Sequence, residues 1–308
     1  MKVWQGPLVG WGRVPPPGSA VSIGVFDGVH RGHQQVLREL VKSATDQGLL
    51  AVAVTFDRHP LELVAPQRVP LMLTTVPQRL PIFEYLGIDL VGVLPFNEVR
   101  QFSPDRFAEL VLAEILSAQT VAVGADFRYG LNRRGNVESL QSEGERLGFE
   151  VKAVDLLTEH DGVLSSSRIR RLLAGGQVEL ATEALGRFYE LAGVVVGGDR
   201  RGRVIGIPTA NLEMAVGMAR PGNGVYAAWS TVDDRTWPAV VNIGTRPTFG
   251  GGAVTVEAHL LDFEGDLYGK NMGLRFVKRL RDEESFDSVQ DLVAQIRRDI
   301  EEGREVLR

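Results

Sequence analysis

The pattern of apolar residues changes near residue 187, and this change constrains the fold more than any other feature of the sequence. Before it, short apolar runs alternate with helical periodicity: Val21–Val25 precedes a helix pattern at Gln34–Thr45, and Ala51–Phe56 begins the next pair. After it, strand-like runs such as Gly224–Val232 and Ala253–Phe263 follow one another without helical patterns between them. The alternation predicts right-handed βαβ units and a parallel sheet, whereas the successive strands predict an antiparallel barrel or sandwich.

The change of pattern divides the chain into two expected domains, residues 1–186 and 187–308, and 308 residues are long for one hydrophobic core. The first domain has further helix patterns at Pro77–Leu86, Pro104–Leu116 and Val137–Leu147, and further strand patterns at Ile88–Leu94, Thr120–Gly124 and Phe149–Val154. The second has further strand patterns at Leu191–Val196, Thr236–Ile243 and Met272–Leu280, followed by a C-terminal helix at Ser288–Glu302.

Composition excludes several classes of site and partner. A net charge of −5 gives no electrostatic case for nucleic-acid binding. The absence of cysteine excludes disulfides, thiolate nucleophiles and cysteine metal ligands. No apolar run reaches the length of a membrane span, and Met1–Gly12 lacks the pattern of a signal peptide. We therefore expect a cytoplasmic protein without nucleic-acid or membrane partners. The sequence does not decide whether the protein forms a homo-oligomer.

The segment from Gly24 to His33, Gly-Val-Phe-Asp-Gly-Val-His-Arg-Gly-His, follows a predicted strand and opens a predicted helix. This context puts His30 and His33 beside N–H groups at the positive end of the helix dipole, a corner that binds phosphate. Two imidazoles there can donate hydrogen bonds to phosphate oxygens as charge builds in a transition state. Gly28 and Gly32 permit close approach of the backbone. The alternatives are polar residues that only begin a helix, or a zinc site that two histidines do not complete.

A second distinctive run extends from Gly193 to Leu212, where a strand, a glycine-rich loop and a Pro-Thr turn follow in succession. The loop can present backbone N–H groups to phosphates, although turns in β proteins also use glycine freely. Thr209 and Asn211 offer hard oxygen ligands suited to Mg²⁺. No Gly-Lys-Ser/Thr follows, so this is not a Walker A loop.

The Gly24–His33 segment is similar to the His-x-Gly-His signature of the nucleotidylyltransferase superfamily. In particular it resembles the FMN adenylyltransferase domain of bacterial bifunctional riboflavin kinase/FAD synthetases. Three further segments match in the family's order: Thr55–Pro60, Gly124–Gly130 and Ser165–Arg170, with Ser167 where threonine is usual. The resemblance implies a nucleotidylyltransferase-type parallel sheet that binds ATP and FMN.

The same resemblance implies roles for individual residues of the first half. His30 and His33 hold the ATP phosphates, and Asp126 lies beside the phosphates or the ribose. The remaining implied ATP contacts are Gly24, Phe26, Asp27, Gly28, Gly32, Ser166, Ser167, Arg168 and the catalytic Arg170, and the implied flavin contacts are Asp57 and His59. The alternatives are local: Asp126 can cap a turn, Ser165–Ser167 can cap a helix, and the arginines can be surface charges.

The second half resembles riboflavin kinases, whose Gly-Arg-x-Ile-Gly-Phe-Pro-Thr-Ala-Asn signature matches Gly202–Asn211 with Ile207 in place of phenylalanine. Further matches are Gly224–Tyr226, Val241–Thr248, Val256–His259, Asp266–Gly269 and Arg281–Phe286, with Asp282 where proline is common. The resemblance implies phosphate contacts at Gly202, Arg203, Gly206 and Pro208, a Mg²⁺ site at Thr209 and Asn211, and flavin contacts at Arg281 and Glu283.

Glu257 is the implied catalytic base, which accepts the riboflavin 5′-hydroxyl proton during γ-phosphoryl transfer. The alternative is an exposed strand residue, because Glu257 and His259 alternate with Val256 and share the opposite face. If that face lines a ligand cleft, Glu257 and His259 both point at the substrate. If it faces open solvent, neither residue has a functional role.

The two resemblances together imply an enzyme that phosphorylates riboflavin to FMN with its second domain and adenylylates FMN to FAD with its first. ATP is the co-substrate, Mg²⁺ is the charge partner and pyrophosphate is released in the second step. Three alternatives remain at this point: an adenylyltransferase whose barrel only binds flavin, a flavin carrier without turnover, and another nucleotidylyltransferase that shares only His-x-Gly-His. The last leaves the second half unexplained.

Overall fold

The structure is a computed structural model that describes residues 1–159, 162–198, 206–245 and 254–308. It forms two compact units, Met1–Ser166 and Ser167–Arg308. Residues 167–186, which the sequence pattern placed with the first domain, therefore group with the second unit. The functional boundary at residue 186 stays a prediction.

The first unit is built on a parallel sheet, as the alternation of strand and helix patterns predicted. Its strand order is β1-β4-β3-β2-β5-β6. The strands are β1 (Lys2–Gln5), β2 (Ser19–Ile23), β3 (Leu50–Phe56), β4 (Leu90–Leu94), β5 (Ala118–Gly124) and β6 (Glu150–Val154). Only β1 was not expected, because its Lys-Val-Trp-Gln sequence lacks an apolar run and it pairs on one side only, with β4.

Helices lie between these strands. They are α1 (Arg31–Gln47), α2 (Leu61–Val64), α3 (Val76–Tyr85), α4 (Phe96–Val99), α5 (Pro104–Phe107), which continues as a π-helical segment over Ala108–Ile115, and α6 (Val137–Leu147). A short antiparallel pair, β7 (Thr158–Glu159) and β8 (Gly162–Val163), follows β6. Helix α1 buries Val36, Leu37, Leu40 and Ala44 against the sheet, which is the apolar face expected from its periodicity.

The second unit contains a closed antiparallel barrel in the order β10-β13-β12-β11-β14-β9. Its strands are β9 (Tyr189–Val196), β10 (Ala210–Met214), β11 (Gly224–Val232), β12 (Arg235–Thr245), β13 (Val254–Leu260) and β14 (Asn271–Arg281). Its helices are α7 (Ser166–Ala174), whose first residue closes the first unit, α8 (Val178–Leu185) and the C-terminal α9 (Val289–Val306). The barrel and the final helix confirm the fold expected for the second half. Strand β10 was missed because the Pro-Thr turn dominates the pattern before it.

Side chains alternate across the barrel wall at β13. Val256, Ala258 and Leu260 are buried, whereas Glu257 and His259 are half-buried on the other face. This is the alternation predicted from the sequence, and it follows from the two-residue repeat of a strand. Glu257 therefore lies on the outer face of the barrel.

Helix α8 packs against β9 and β14, which explains why it groups with the second unit. It buries Val178, Ala181, Ala184 and Leu185. The Glu179 carboxylate also accepts a hydrogen bond of 3.1 Å from the Arg279 backbone N–H on β14. The barrel thus covers part of its apolar surface with a helix that precedes its first strand.

We predict that a fragment of residues 167–308 unfolds at a higher temperature than a fragment of residues 187–308. Removing α8 exposes apolar side chains to water, at a cost of roughly 1.5–3 kcal/mol for each large one. We therefore expect the two unfolding midpoints to differ by about 10 °C or more. Thermal unfolding followed by circular dichroism measures both midpoints. Equal midpoints would show that α8 does not stabilise the barrel.

Candidate functional site

Three predicted segments lie at one edge of the first unit's sheet. Strand β2 is flanked by β3 and β5, and all three run parallel, so their carboxyl ends meet at the same edge. Gly24–His33 follows β2, Asp57 and His59 follow β3, and Asp126 follows β5. The fold thus brings together three of the four first-half segments predicted to bind ATP and flavin, at the edge where parallel sheets bind ligands.

His30 and His33 stand at the start of α1, as the sequence predicted. His30 is the residue before the helix, is 5% exposed, and its Nδ1 accepts a hydrogen bond of 3.3 Å from the His33 backbone N–H. The two imidazole rings stack with their centroids 3.6 Å apart. Because Nδ1 of His30 is an acceptor, its neutral ring carries the proton on Nε2 and can donate from that side.

The loop before α1 has an unusual backbone. Phe26, Gly28 and Val29 have φ angles of 49°, 78° and 37°, and only the glycine adopts such values without strain. The Phe26 ring packs edge-on against Phe83 and His33, with centroid distances of 5.7 and 5.4 Å. A strained backbone held by packing is typical of a functional loop.

Gly24 and Gly32 lie where a side chain would crowd the rings of this loop. A Cβ added to Gly24 would stand 3.1 Å from the Phe26 ring, and one added to Gly32 would stand 3.2 Å from the His30 ring. Glycine at these positions therefore keeps the rings of Phe26 and His30 in place, a packing role beside the expected approach to phosphate.

A buried polar network holds the loop from beneath. One carboxylate oxygen of Asp27 accepts the backbone N–H groups of Leu73 and Thr74, at 2.8 and 3.1 Å. The Thr74 hydroxyl accepts the backbone N–H of Gly28 at 2.9 Å. Asp27, predicted as a phosphate contact, thus serves first to join the loop to the segment before α3.

Arg79 completes the network and is 3% exposed. Its guanidinium donates to the Thr74 hydroxyl and carbonyl at 3.1 and 2.9 Å, to the Val25 carbonyl at 2.8 Å and to the Thr55 hydroxyl at 3.1 Å. Burial lowers the pKa of Arg79, and the negative charge of Asp27 opposes that shift. Sequence reasoning missed both residues, since Thr74 only precedes the Thr75 N-cap of α3 and Arg79 stands within an ordinary helix pattern.

The Ser165–Arg170 motif begins at this loop. The Ser166 hydroxyl donates a hydrogen bond of 2.9 Å to the Asp27 carbonyl. Ser167, Arg168 and Arg170 belong to the second compact unit, where Arg170 Nη2 lies 3.5 Å from the Ser167 hydroxyl. Their predicted contact with the triphosphate stays a prediction.

The residues predicted to contact flavin in the first unit also have local partners. Asp57 accepts the Phe96 backbone N–H at 2.9 Å and the Arg58 side chain at 3.1 Å. His59 Nδ1 accepts the Leu61 backbone N–H at 3.2 Å. Asp126 is exposed in the turn after β5. The Asp57 carboxylate therefore joins the end of β3 to the start of α4. A ligand contact by Asp57 or His59 would have to form beside these hydrogen bonds.

The second site lies on the outer face of the barrel around Glu257. Its carboxylate accepts a hydrogen bond of 3.3 Å from the Thr209 hydroxyl. In the strand register, Glu257 stands opposite Asn211 on β10 and opposite Asn242 on β12. One carboxylate, one hydroxyl and two amides are thus close together, and Asn242 is the member to which sequence reasoning gave no role.

This donor set fits Mg²⁺ better than a softer metal. Thr209, Asn211 and Glu257 supply hydroxyl, amide and carboxylate oxygens, the hard ligands that Mg²⁺ accepts together with phosphate and water. Gly198 lies so close to the Asn211 amide that a Cβ there would collide with it. Across the described residues, no group of three or more His, Cys, Asp or Glu side chains is arranged to hold a metal ion.

The loop before Thr209 is described only in part. Gly202 and Arg203, both predicted phosphate contacts, lie outside the described residues. Gly206 has a φ of 77°, which favours glycine, and the Pro208 carbonyl lies 2.7 Å from His259 Nδ1. This contact between His259 and Pro208 helps to position the Pro-Thr turn that contains Thr209.

Arg281 and Glu283, the predicted flavin contacts of the barrel, have different surroundings. Arg281 donates two hydrogen bonds to Asp299 of α9, at 2.9 and 2.8 Å, and these bonds raise its pKa against the effect of burial. Glu283 is exposed and accepts a hydrogen bond of 3.1 Å from the Asn223 side chain. Glu283 is thus the more accessible of the two.

Family models match both halves of the chain. A model described as FAD synthetase matches residues 14–168, and one described as riboflavin kinase matches residues 185–307. The first match ends inside α7 and the second begins at the end of α8, so residues 169–184 lie between them.

Curated relatives match along nearly the whole chain. Proteins named bifunctional riboflavin kinase/FMN adenylyltransferase are 38% identical in Pseudomonas fluorescens, 36% in Escherichia coli K12 and 35% in Bacillus subtilis. These alignments cover 93%, 95% and 92% of this chain and 92%, 94% and 91% of the respective relatives. The similarity therefore includes both halves rather than a single module.

A solved structure from Streptococcus pneumoniae, described as a macrolide-efflux protein, has a TM-score of 0.85 and 30% identity to this chain. The match covers 94% of this chain and 95% of that one, which shows that the two share their fold. Among the residues that the structure describes here, no helix combines the length and the apolar character needed to cross a membrane.

We predict that Thr74→Val destabilises the first unit. The substitution keeps the shape of the side chain but leaves the Gly28 N–H and one Arg79 N–H without their acceptor, at a cost of about 1–3 kcal/mol for each group. Chemical denaturation measures the free energy of unfolding. Thr45→Val is the control, because that hydroxyl is exposed on α1 and donates to the Val41 carbonyl of its own helix. Equal stabilities of the two variants would contradict the network.

Proposed function

Because this chain belongs to the family of bifunctional riboflavin kinase/FMN adenylyltransferases, we propose that it makes FAD from riboflavin in two steps at two separate sites. Residues 187–308 phosphorylate riboflavin to FMN, and residues 1–186 adenylylate FMN to FAD. One observation supports the proposal: each compact unit contains its own cluster of residues predicted to act on phosphate, the stacked His30 and His33 in the first and the hydrogen-bonded Thr209 and Glu257 in the second.

The adenylylation step uses the edge of the parallel sheet. The FMN phosphate attacks the α-phosphorus of ATP in line, and pyrophosphate leaves without a covalent enzyme intermediate. His30 Nε2 donates to a phosphate oxygen as negative charge grows, and stacking on His33 fixes the ring at the helix start. The Phe26–Gly28 loop and Ser166 shape the phosphate corner, because they are joined through Asp27.

The remaining groups of the first site complete the binding of ATP and flavin. We propose that Ser167, Arg168 and Arg170 clamp the triphosphate, that Asp126 lies beside the phosphates or ribose, and that Asp57 and His59 contact the flavin. What supports these assignments is that Asp57, His59 and Asp126 follow strands adjacent to β2 at the same edge. Ser166 is bonded to the loop that precedes His30.

The phosphorylation step uses the outer face of the barrel. The Glu257 carboxylate accepts the proton of the riboflavin 5′-hydroxyl, whose oxygen attacks the γ-phosphorus of ATP while ADP leaves. The Thr209 hydroxyl orients that carboxylate, and Asn211 and Asn242 stand on either side of it. Mg²⁺ bound by Thr209 and Asn211 would neutralise charge on the transferred phosphoryl group. Gly202, Arg203, Gly206 and Pro208 are proposed to hold the ATP phosphates.

Several broader expectations stay proposals. Riboflavin, FMN and ATP are the proposed small-molecule substrates, and nucleic acid is not a proposed partner. The net charge of −5 supports the latter. A cytoplasmic location likewise stays a prediction, and the oligomeric state stays open.

We predict that His30→Ala and His33→Ala lose FAD synthesis and keep riboflavin phosphorylation. Removing one preorganised donor to a transition state costs about 10²–10³ in rate. The measurement is a paired assay of riboflavin to FMN and FMN to FAD on each folded variant. Normal FAD synthesis by either variant would refute the role assigned to that histidine.

We predict the reverse selectivity for Glu257→Gln, which keeps the side-chain shape and removes the base. General-base catalysis contributes roughly 10²–10⁴ in rate, so FMN formation should fall by that factor while added FMN still becomes FAD. Glu213→Gln is a matched control, because Glu213 lies two residues after Asn211 on β10 and is exposed. Normal phosphorylation by Glu257→Gln would show that the base lies elsewhere.

A further inference from the structure

The C-terminal helix α9 is joined to the barrel by a buried ion pair. Asp299 is 4% exposed and accepts two hydrogen bonds from Arg281, at 2.9 and 2.8 Å. Gln295 donates a third hydrogen bond of 2.8 Å to the same carboxylate. Such a carboxylate fixes its arginine in one orientation, since the planar guanidinium is held by two parallel bonds.

Arg281 also holds the segment that follows it, residues 282–286. Its guanidinium donates to the Asp282 carbonyl at 2.9 Å and lies 5.7 Å from the centre of the Phe286 ring. The Asp282 carboxylate is bound in turn by Arg279 at 2.7 Å. Arginine contacts therefore fix both ends of an irregular segment that has no helix or strand bonds of its own.

This segment carries Glu283 toward the face that holds Glu257. One oxygen of Glu283 accepts the Asn223 side chain at 3.1 Å, and the other lies against Gly244 of β12, where a Cβ would collide with it. Gly244 is two residues from Asn242, so both stand on the same side of the strand, and Asn242 is opposite Glu257. The carboxylate of Glu283 thus borders the proposed phosphorylation site.

We propose that Asp299 is a positioning residue for riboflavin phosphorylation: it fixes Arg281, and Arg281 holds the 282–286 segment so that Glu283 meets the flavin beside Glu257. The inference rests on the proposed function of the barrel. It gives Arg281 an indirect role in place of the flavin contact that the sequence resemblance implied. Asp299 lies in a helix that no expectation from the sequence had connected with the site.

A second ion pair on the same helix provides a natural control. Arg304 of α9 binds Asp262, in the turn after β13, through two hydrogen bonds of 2.6 and 2.7 Å. Both pairs have two hydrogen bonds and both join α9 to the barrel, although Arg281 pairs through Nε and Nη2 and Arg304 through its two Nη atoms. Asp262 is exposed and belongs to another turn than residues 282–286. A general loss of helix attachment should affect both pairs, whereas positioning of Glu283 requires Asp299 alone.

The test compares Asp299→Asn with Asp262→Asn in the full-length protein. We expect Asp299→Asn to raise the KM for riboflavin by about tenfold with a smaller change in kcat, because the flavin contact is misplaced while Glu257 is intact. The conversion of FMN to FAD should be unchanged in both variants. An unchanged KM in Asp299→Asn, or an equal rise in Asp262→Asn, would overturn the proposal.

A double variant, Arg281→Met with Asp299→Leu, separates positioning from stability. Replacing both members of a buried ion pair by apolar residues restores packing without leaving a buried charge. It does not restore the bonds to the Asp282 carbonyl or to the Phe286 ring. We expect a thermal midpoint near that of the wild type with a raised KM for riboflavin. Recovery of both the midpoint and the KM would show a purely structural role.

A readout without catalysis distinguishes failure of this inference from failure of the proposed function. 4-Fluorophenylalanine placed at position 286 reports its surroundings by fluorine NMR. We expect its resonance to shift or broaden in Asp299→Asn and to stay unchanged in Asp262→Asn. An unchanged resonance in Asp299→Asn would overturn the proposal even in an active enzyme. Absent phosphorylation by the wild type would instead contradict the proposed function.

Discussion

The fixed geometry of β-strands decides where both sites are placed. Parallel strands end at one edge, so the segments after β2, β3 and β5 must meet there, and His30 and His33 stand at that edge. Antiparallel barrel strands turn successive residues inward and outward, so burying Val256 and Ala258 forces Glu257 to the outer face. Shifting the residues of either site along their strands would also shift the buried residues of the core, so the core fixes the position of both sites.

The buried Arg79 and the half-buried Arg281 hold the functional segments of the two units in a similar way. Arg79 donates to the Val25 and Thr74 carbonyls beneath the loop of the first site, and Arg281 donates to the Asp282 carbonyl beside the second. A guanidinium has five N–H donors in a rigid plane, and a buried one must use them. Each arginine therefore connects several chain segments that have no regular secondary structure to fix them.

The sequence predicted the parallel sheet, the barrel strands other than β10 and the positions of His30, His33 and Glu257, because strand and helix periods and short glycine motifs are local signals. It could not predict the contacts of Arg79 or Asp299, since each depends on partners distant along the chain, such as Val25 and Arg281. The same limit explains α8, which the sequence analysis did not predict as a helix, because its apolar residues are buried against β9 and β14, strands that come later in the chain.

The most direct test of the account follows the wild-type protein with riboflavin, ATP and Mg²⁺ over time, with chromatographic separation of the flavins. Two sites working in sequence predict that FMN appears first and that FAD follows as FMN is consumed, with one pyrophosphate released for each FAD. FMN that accumulates without FAD, or the absence of both products, would contradict the central claim that this chain carries out both steps.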